Sequence, residues 1–236
     1  MSDKQPQIIA MGGGGFLMEP DNLALDRFIL AAAGSPSPKV CFLPTASGDA
    51  QSCLDQFYRA FATLHCIPTH LSLFKPPLEN LRDFVLRQEV IYVGGGNTRA
   101  MLALWREWDL DQILQEAWLA GVVMAGLSAG SLCWFEEGVS DSVRAGKLEP
   151  IAGLGLLQGS HCPHYDSEPE RRPTYHRLLR EGRLRAGYAA DDGAALHFIG
   201  TQLVRVVSSR SAAKAYRVSA GDAEVKEEVL PADRLA

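Results

Sequence analysis

No stretch of about 18 or more uninterrupted apolar residues occurs in the 236-residue chain, so no membrane-spanning helix is expected. Lys/Arg-rich runs are also missing, and a formal net charge of −5 argues against a general nucleic-acid binder, which needs a basic face for phosphate contacts. There is no internal repeat, no low-complexity segment and no Pro/Gly/Ser linker long enough to separate domains, so one domain spanning 1–236 is expected. The glycine runs in "GGGGF" and "VGGGNT" match neither Gly-x-Gly-x-x-Gly nor a P-loop, because no Lys-Ser/Thr follows, and no nucleotide cofactor is implied. Cysteines are few and odd in number: Cys41, Cys53, Cys66, Cys133 and Cys162 lie scattered in mostly apolar patterns, as buried free thiols would. That usage favours a reducing compartment. The apolar run near the N-terminus is too short for a signal peptide, which makes the cytoplasm the expected location.

What is present is an ordinary globular composition, 47% hydrophobic and 22% charged. "QIIAM", "KVCFL", "THLSLF", "EVIYV" and "GVVMAG" read as short strands, several of them continuously apolar, and each ends in a loop of Gly, Ser or Thr. Helical patterns alternate with them: one from an Asp21 cap to Gly34, one carrying Leu54, Phe57, Tyr58 and Phe61 with Ser47 or Asp49 as cap, a short one near "LENLRDFVL", and Asp109 to Leu119. The pattern predicts a doubly wound α/β fold with a mostly parallel sheet and helices on both faces. After Gly138 turn residues dominate until a helix at "TYHRLLREG" that Pro173 can begin. The final third reads as short strands forming a small antiparallel extension at one sheet edge.

Gly126-Leu127-Ser128-Ala129-Gly130 fits Gly-x-Ser-x-Gly, with a strand before it and a helix expected after it. Small neighbours let the backbone turn sharply, exposing the Ser128 Oγ and aiming the next N–H at a developing oxyanion. The bland reading is a strand-to-helix turn that needs glycine anyway. Ser131 is a competing hydroxyl without flanking glycines, and Cys133 sits among Leu132, Trp134 and Phe135 as a packed thiol would. "VGGGNT" ends the strand expected beside the Ser128 strand, so one of its amides can supply a second oxyanion donor. A serine needs a base. His65 and His70 flank a remote connection, His176 lies in an amphipathic helix and His197 in an alternating strand, which leaves His161 and His164 of "SHCPHYDSEPE". That pair lacks a helix and a second ligand cluster, so metal binding is not expected. The orienting carboxylate is sought in "YAADDGAAL", at Asp191 or Asp192.

With "VGGGNT", "GLSAGS", "PHY" and "YAADDGAAL" in that order, the sequence resembles the peptidase E (aspartyl dipeptidase) family and its relative cyanophycinase. The resemblance implies a class I glutamine-amidotransferase-like fold and a serine exopeptidase acting on short peptides with an N-terminal aspartate, without a cofactor or metal. It makes Ser128 the nucleophile, His164 the general base, and Gly95 and Ala129 the oxyanion donors. Where the family usually carries glutamate this chain has Asp192, one methylene shorter, and Asp191 stays open as the alternate. Arg172 is the preferred match for recognising the substrate's acidic side chain, with Arg171 beside it. A small peptide is the partner implied, and a homodimer the assembly. Two other readings stand beside this one: a cyanophycinase-like enzyme cutting β-aspartyl linkages, and a non-catalytic amidotransferase-like binding module.

Overall fold

A computed structural model describes residues 4–75, 80–221 and 224–236. Five short apolar runs form the parallel heart of the larger sheet: β1 (Gln7–Met11), β2 (Lys39–Leu43), β3 (Ile67–His70), β4 (Val90–Val93) and β5 (Val123–Leu127). They lie in the order β1-β5-β4-β2-β3. Ile8 faces one core and Ile9 the other, both without exposed surface, which is why these strands are apolar throughout instead of alternating.

Helices cover both faces. After the single turn α1 (Gly15–Met18), helices α2 (Ala24–Ala32) and α3 (Gln51–Phe61) pack Leu25, Ile29, Phe57 and Phe61 on the Ile9 side. Then α4 (Leu81–Leu86), α5 (Thr98–Glu107) and α6 (Leu110–Leu119) bury Val85, Trp105 and Leu114 on the Ile8 side. The expected caps differ in detail. Asn22, not Asp21, offers its side chain at the start of α2, accepting from the Ala24 N–H at 3.4 Å. Ser47 accepts from the Ala50 N–H ahead of α3, and the strand expected at "THLSLF" stops at His70. Leu78 and Glu79 of "LENLRDFVL" lie outside the described residues.

The helix after Ser128, α7 (Ala129–Leu132), is a single turn, and the chain re-enters β structure at once. Residues expected to be turn-rich form β6 (Phe135–Arg144), β7 (Lys147–Ala152) and β8 (Leu157–Cys162). After α8 (Arg171–Arg180) come β9 (Gly187–Ala190), β10 (Ala194–Ile199), β11 (Gln202–Ser208), β12 (Ala215–Ala220), β13 (Val225–Leu230) and β14 (Asp233–Arg234). Only β10 and β11 behave as the expected antiparallel edge extension, with β10 on β1 and β11 on β10. β9, β12 and β13 instead join β6 to β8 in a second sheet, ordered β13-β12-β9-β8-β6-β7. The correction has a simple cause. β6 and β7 are largely half-buried and carry no apolar run, so periodicity had nothing to detect. Phe135 joins the sheets, its ring 4.7 Å from His161 and 5.9 Å from Phe198 on β10.

Candidate active site

β5 ends at Leu127, and Ser128 turns the chain into α7 with φ 56° and ψ −116°. A non-glycine residue there carries strain of order 1–3 kcal/mol that its surroundings must hold in place. Gly126 and Gly130 explain how the turn closes. A Cβ on Gly126 would stand 2.4 Å from the Gly130 carbonyl oxygen, and one on Gly130 would stand 2.3 Å from that of Val93. The Ser128 carbonyl accepts the N–H groups of Ser131 and Leu132 at 3.1 and 2.9 Å and the Ser131 hydroxyl at 2.9 Å. Ser131 is therefore buried structure. Cys133 is buried as well, and burial pushes its thiol well above the usual range, away from the reactive thiolate.

Gly95 lies against the turn: a Cβ there would be 3.3 Å from the Ser128 Cβ. β1 pairs with β5 so that Met11 stands opposite Leu127, and the next residues on the two strands are Gly12 and Ser128. The Gly12 carbonyl accepts the His164 N–H at 3.3 Å, and the Gly13 carbonyl accepts the Gly193 N–H at 3.0 Å. Side chains would intrude on this convergence. A Cβ on Gly12 would meet the Ala190 carbonyl oxygen at 2.3 Å, and one on Gly13 would meet Asp192 Oδ1 at 2.1 Å. The "GGGG" run thus lets the end of β1 pass between the histidine and aspartate segments.

His164 Nδ1 and Asp192 Oδ1 are 2.7 Å apart, with side chains 10% and 6% exposed. An ionised carboxylate only accepts, so Nδ1 donates and Nε2 is left to accept a proton. Burial opposes the Asp192 charge, but hydrogen bonds from His164 and Ser167 hold its carboxyl below the usual range. The Asp192 N–H donates to Asp166 Oδ1 at 2.9 Å, fixing the carboxylate's backbone. Asp191 points elsewhere: its Oδ2 accepts the Lys214 N–H at 2.9 Å, and burial raises its carboxyl to about 6.

Four of the other histidines, His161, His197, His70 and His176, have structural partners. His161 Nδ1 lies 3.2 Å from the Tyr188 carbonyl and Nε2 3.1 Å from Ser131 Oγ, and burial pushes its imidazole down to about 3. His197 bonds to Gln7 at 2.8 Å, and His70 to Tyr58 at 2.7 Å. His176 Nε2 sits 2.7 Å from Glu227 Oε1.

Both arginines matched to substrate recognition are engaged within the protein. Arg171 is buried, with Nε 2.6 Å from Glu168 Oε2 and Nη1 2.7 Å from the Val139 carbonyl. Arg172 forms a two-point pair with Glu227, one bond at 3.0 Å, and its guanidinium lies against the rings of Tyr165 and Tyr216, 5.1 and 5.3 Å from their centroids. Sequence reasoning missed Glu227, whose place in a charged C-terminal strand gives no signal. Among the described residues no group of three or more His, Cys, Asp or Glu side chains is placed to hold a metal ion, and no helix is long and apolar enough to cross a membrane.

The sequence matches the model of peptidase family S51 over residues 8–206. It is 62% identical over 229 residues, 97% of this chain and 99% of the relative, to the Bacillus subtilis (strain 168) protein named "Uncharacterized peptidase YgaJ". A more distant relative is "Uncharacterized peptidase PM1590" of Pasteurella multocida (strain Pm70), 26% identical over 61% of this chain and 73% of that protein. In fold it is similar to a peptidase from an acI-B1 Actinobacterium, with TM-score 0.71, 18% identity, and 97% and 95% of the two chains covered. A putative peptidase E protein from Listeria monocytogenes EGD-e aligns with TM-score 0.64 and 19% identity, over 86% of this chain and 98% of the other.

Proposed function

The chain belongs to peptidase family S51, and from that premise we propose that it is a serine exopeptidase removing the N-terminal residue from short peptides. Ser128, His164 and Asp192 form its triad. His164 Nε2 takes the Ser128 Oγ proton as Oγ attacks the first peptide carbonyl. The amides of Gly95 and Ala129 receive the oxyanion, and His164 returns the proton to the leaving amine. Water, deprotonated in turn by His164, then releases the N-terminal residue from the serine ester. Asp192 keeps the imidazole in the tautomer with Nδ1–H and stabilises its charged form.

The observation that carries this reading is the 2.7 Å contact between His164 and Asp192, largely screened from water and tied through Gly12 to the strand beside the strained Ser128. The test is release of p-nitroaniline from Asp, Glu, Ala, Leu and Arg p-nitroanilides by wild type and Ser128→Ala, with labelling by a fluorophosphonate in parallel. Turnover and labelling by wild type, both lost in Ser128→Ala, are expected. Hydrolysis that survives the substitution would sink the triad. The preference for N-terminal aspartate implied by the family resemblance depends on Arg172, and it is therefore decided where Arg172 meets Glu227.

A further inference from the structure

A planar guanidinium presents paired N–H donors that match a carboxylate at two points, which makes an arginine held against aromatic rings a ready subsite for an acidic side chain. Arg172 is held that way. Tyr165, one of its two rings, directly follows His164, and the Tyr165 N–H donates at 3.1 Å to the carbonyl of Ala190, two residues before Asp192. The fork is therefore anchored to the same two segments as the His164–Asp192 pair.

Its partner comes from within the chain. Glu227, on the edge strand β13, takes Nε and Nη2 of Arg172, the Tyr165 hydroxyl and His176 Nε2 at 2.7 Å. The Glu227 side chain is 18% exposed, so it is much better shielded than Arg172 at 48%. Burial opposes its charge, yet the bonds from Arg172, Tyr165 and His176 bring its carboxyl down to about 2, so it stays ionised through the neutral range. A substrate carboxylate arriving at the Nε/Nη2 edge would find both of those donors taken and a like charge in its place.

Resting on the exopeptidase reading above, we propose that Glu227 is the specificity-determining residue: it occupies the carboxylate-binding fork of Arg172 and turns the enzyme toward peptides whose N-terminal side chain is uncharged. Arg172 then stays paired to Glu227 against Tyr165 and Tyr216. Removing the Glu227 charge opens that edge of the guanidinium to an acidic residue.

The experiment compares wild type, Glu227→Gln and Glu227→Gln/Arg172→Gln on two substrates, Ala and Asp p-nitroanilide, and measures binding of L-aspartate by calorimetry. Like-charge exclusion predicts that wild type favours Ala over Asp by about 100-fold in kcat/KM. Glu227→Gln should narrow that ratio by about tenfold or more and gain aspartate binding, and the double variant should lose both gains. A wild type that prefers Asp, or a Glu227→Gln protein whose ratio and aspartate affinity equal those of wild type, overturns the proposal. If no protein hydrolyses either substrate, the exopeptidase reading fails, while gain or lack of aspartate binding still decides the role of Glu227. Should Glu227→Gln fail to fold, Glu227→Ala carries the same test with acetate added: acetate must compete with aspartate for the opened fork, and absence of competition counts against it.

Discussion

Single residues carry most of the chemistry, and several were legible as letters. Ser128 was marked by its flanking glycines, and the structure gives it the positive φ that such flanks allow. His164 and Asp192 were narrowed by position to two candidates each, and the hydrogen bond between them distinguishes them from His161 and Asp191. Glu227 and Asp26 left no trace, because nothing in a local pattern tells a solvated carboxylate from a buried one. Asp26 has no exposed surface; burial raises its carboxyl to about 6, although bonds from the Phe16 backbone and Tyr92 oppose the rise. The native state therefore binds this proton more tightly than the unfolded chain, where the group titrates at 3.8. Stability from this group is full below that value and falls as pH rises through about 6, by on the order of 3 kcal/mol. Asp26→Asn should flatten that fall, so urea unfolding at pH 4 and pH 8 should differ less in the variant than in wild type. An equal pH difference in both proteins would remove Asp26 as its source.

At the scale of elements, strand-to-loop transitions place the site, and glycine is what lets them meet. The end of β1 runs between the segments bearing His164 and Asp192, and its first two glycines face different atoms. A methyl group at Gly12 would press on backbone carbonyls, which cannot move without breaking the approach of β1 to Ala190. One at Gly13 would press on the Asp192 carboxylate, which can rotate. Gly12→Ala is therefore expected to lower the unfolding midpoint strongly, whereas Gly13→Ala should leave it near wild type and reduce kcat by about 100-fold through a displaced Asp192. Equal effects of the two substitutions on stability would refute this division. The parallel strands and α2, α3, α4 and α6 were readable from apolar runs and helical spacing, whereas α5 was not among the expected helices. α7 was expected as a longer helix. Its shortness follows from Gly138 and Gly153, where a Cβ would strike the His161 and Phe135 carbonyl oxygens at 2.5 and 2.2 Å, as the chain packs back directly as β6.

For the molecule as a whole, the second sheet is the feature that brings His164 and Asp192 together. β8 ends at Cys162, just before Pro163 and His164, and β9 ends at Ala190, just before the aspartate pair. Both strands belong to that sheet, while Ser128 follows β5 of the larger one. Phe135 packs between them, touching His161, Tyr188 and Phe198. Phe135→Ala should cost about 3–5 kcal/mol in urea unfolding, as an aromatic cavity of this kind does. A loss below about 1 kcal/mol, typical of surface positions, would mean the sheets are held together elsewhere.

The sequence alone determined the α/β class, the parallel strands, the elbow at Ser128 and the short set of histidines and aspartates that holds the pair His164 and Asp192. These follow from local rules: both faces of a covered sheet must be apolar, and a sharp strand-to-helix turn needs small neighbours. The tertiary structure decided which histidine meets which aspartate, joined six strands into a second sheet, and paired Arg172 with Glu227, 55 residues away in the chain. Such contacts depend on pairing between distant, half-exposed segments, whose energy comes from partners that no local window contains.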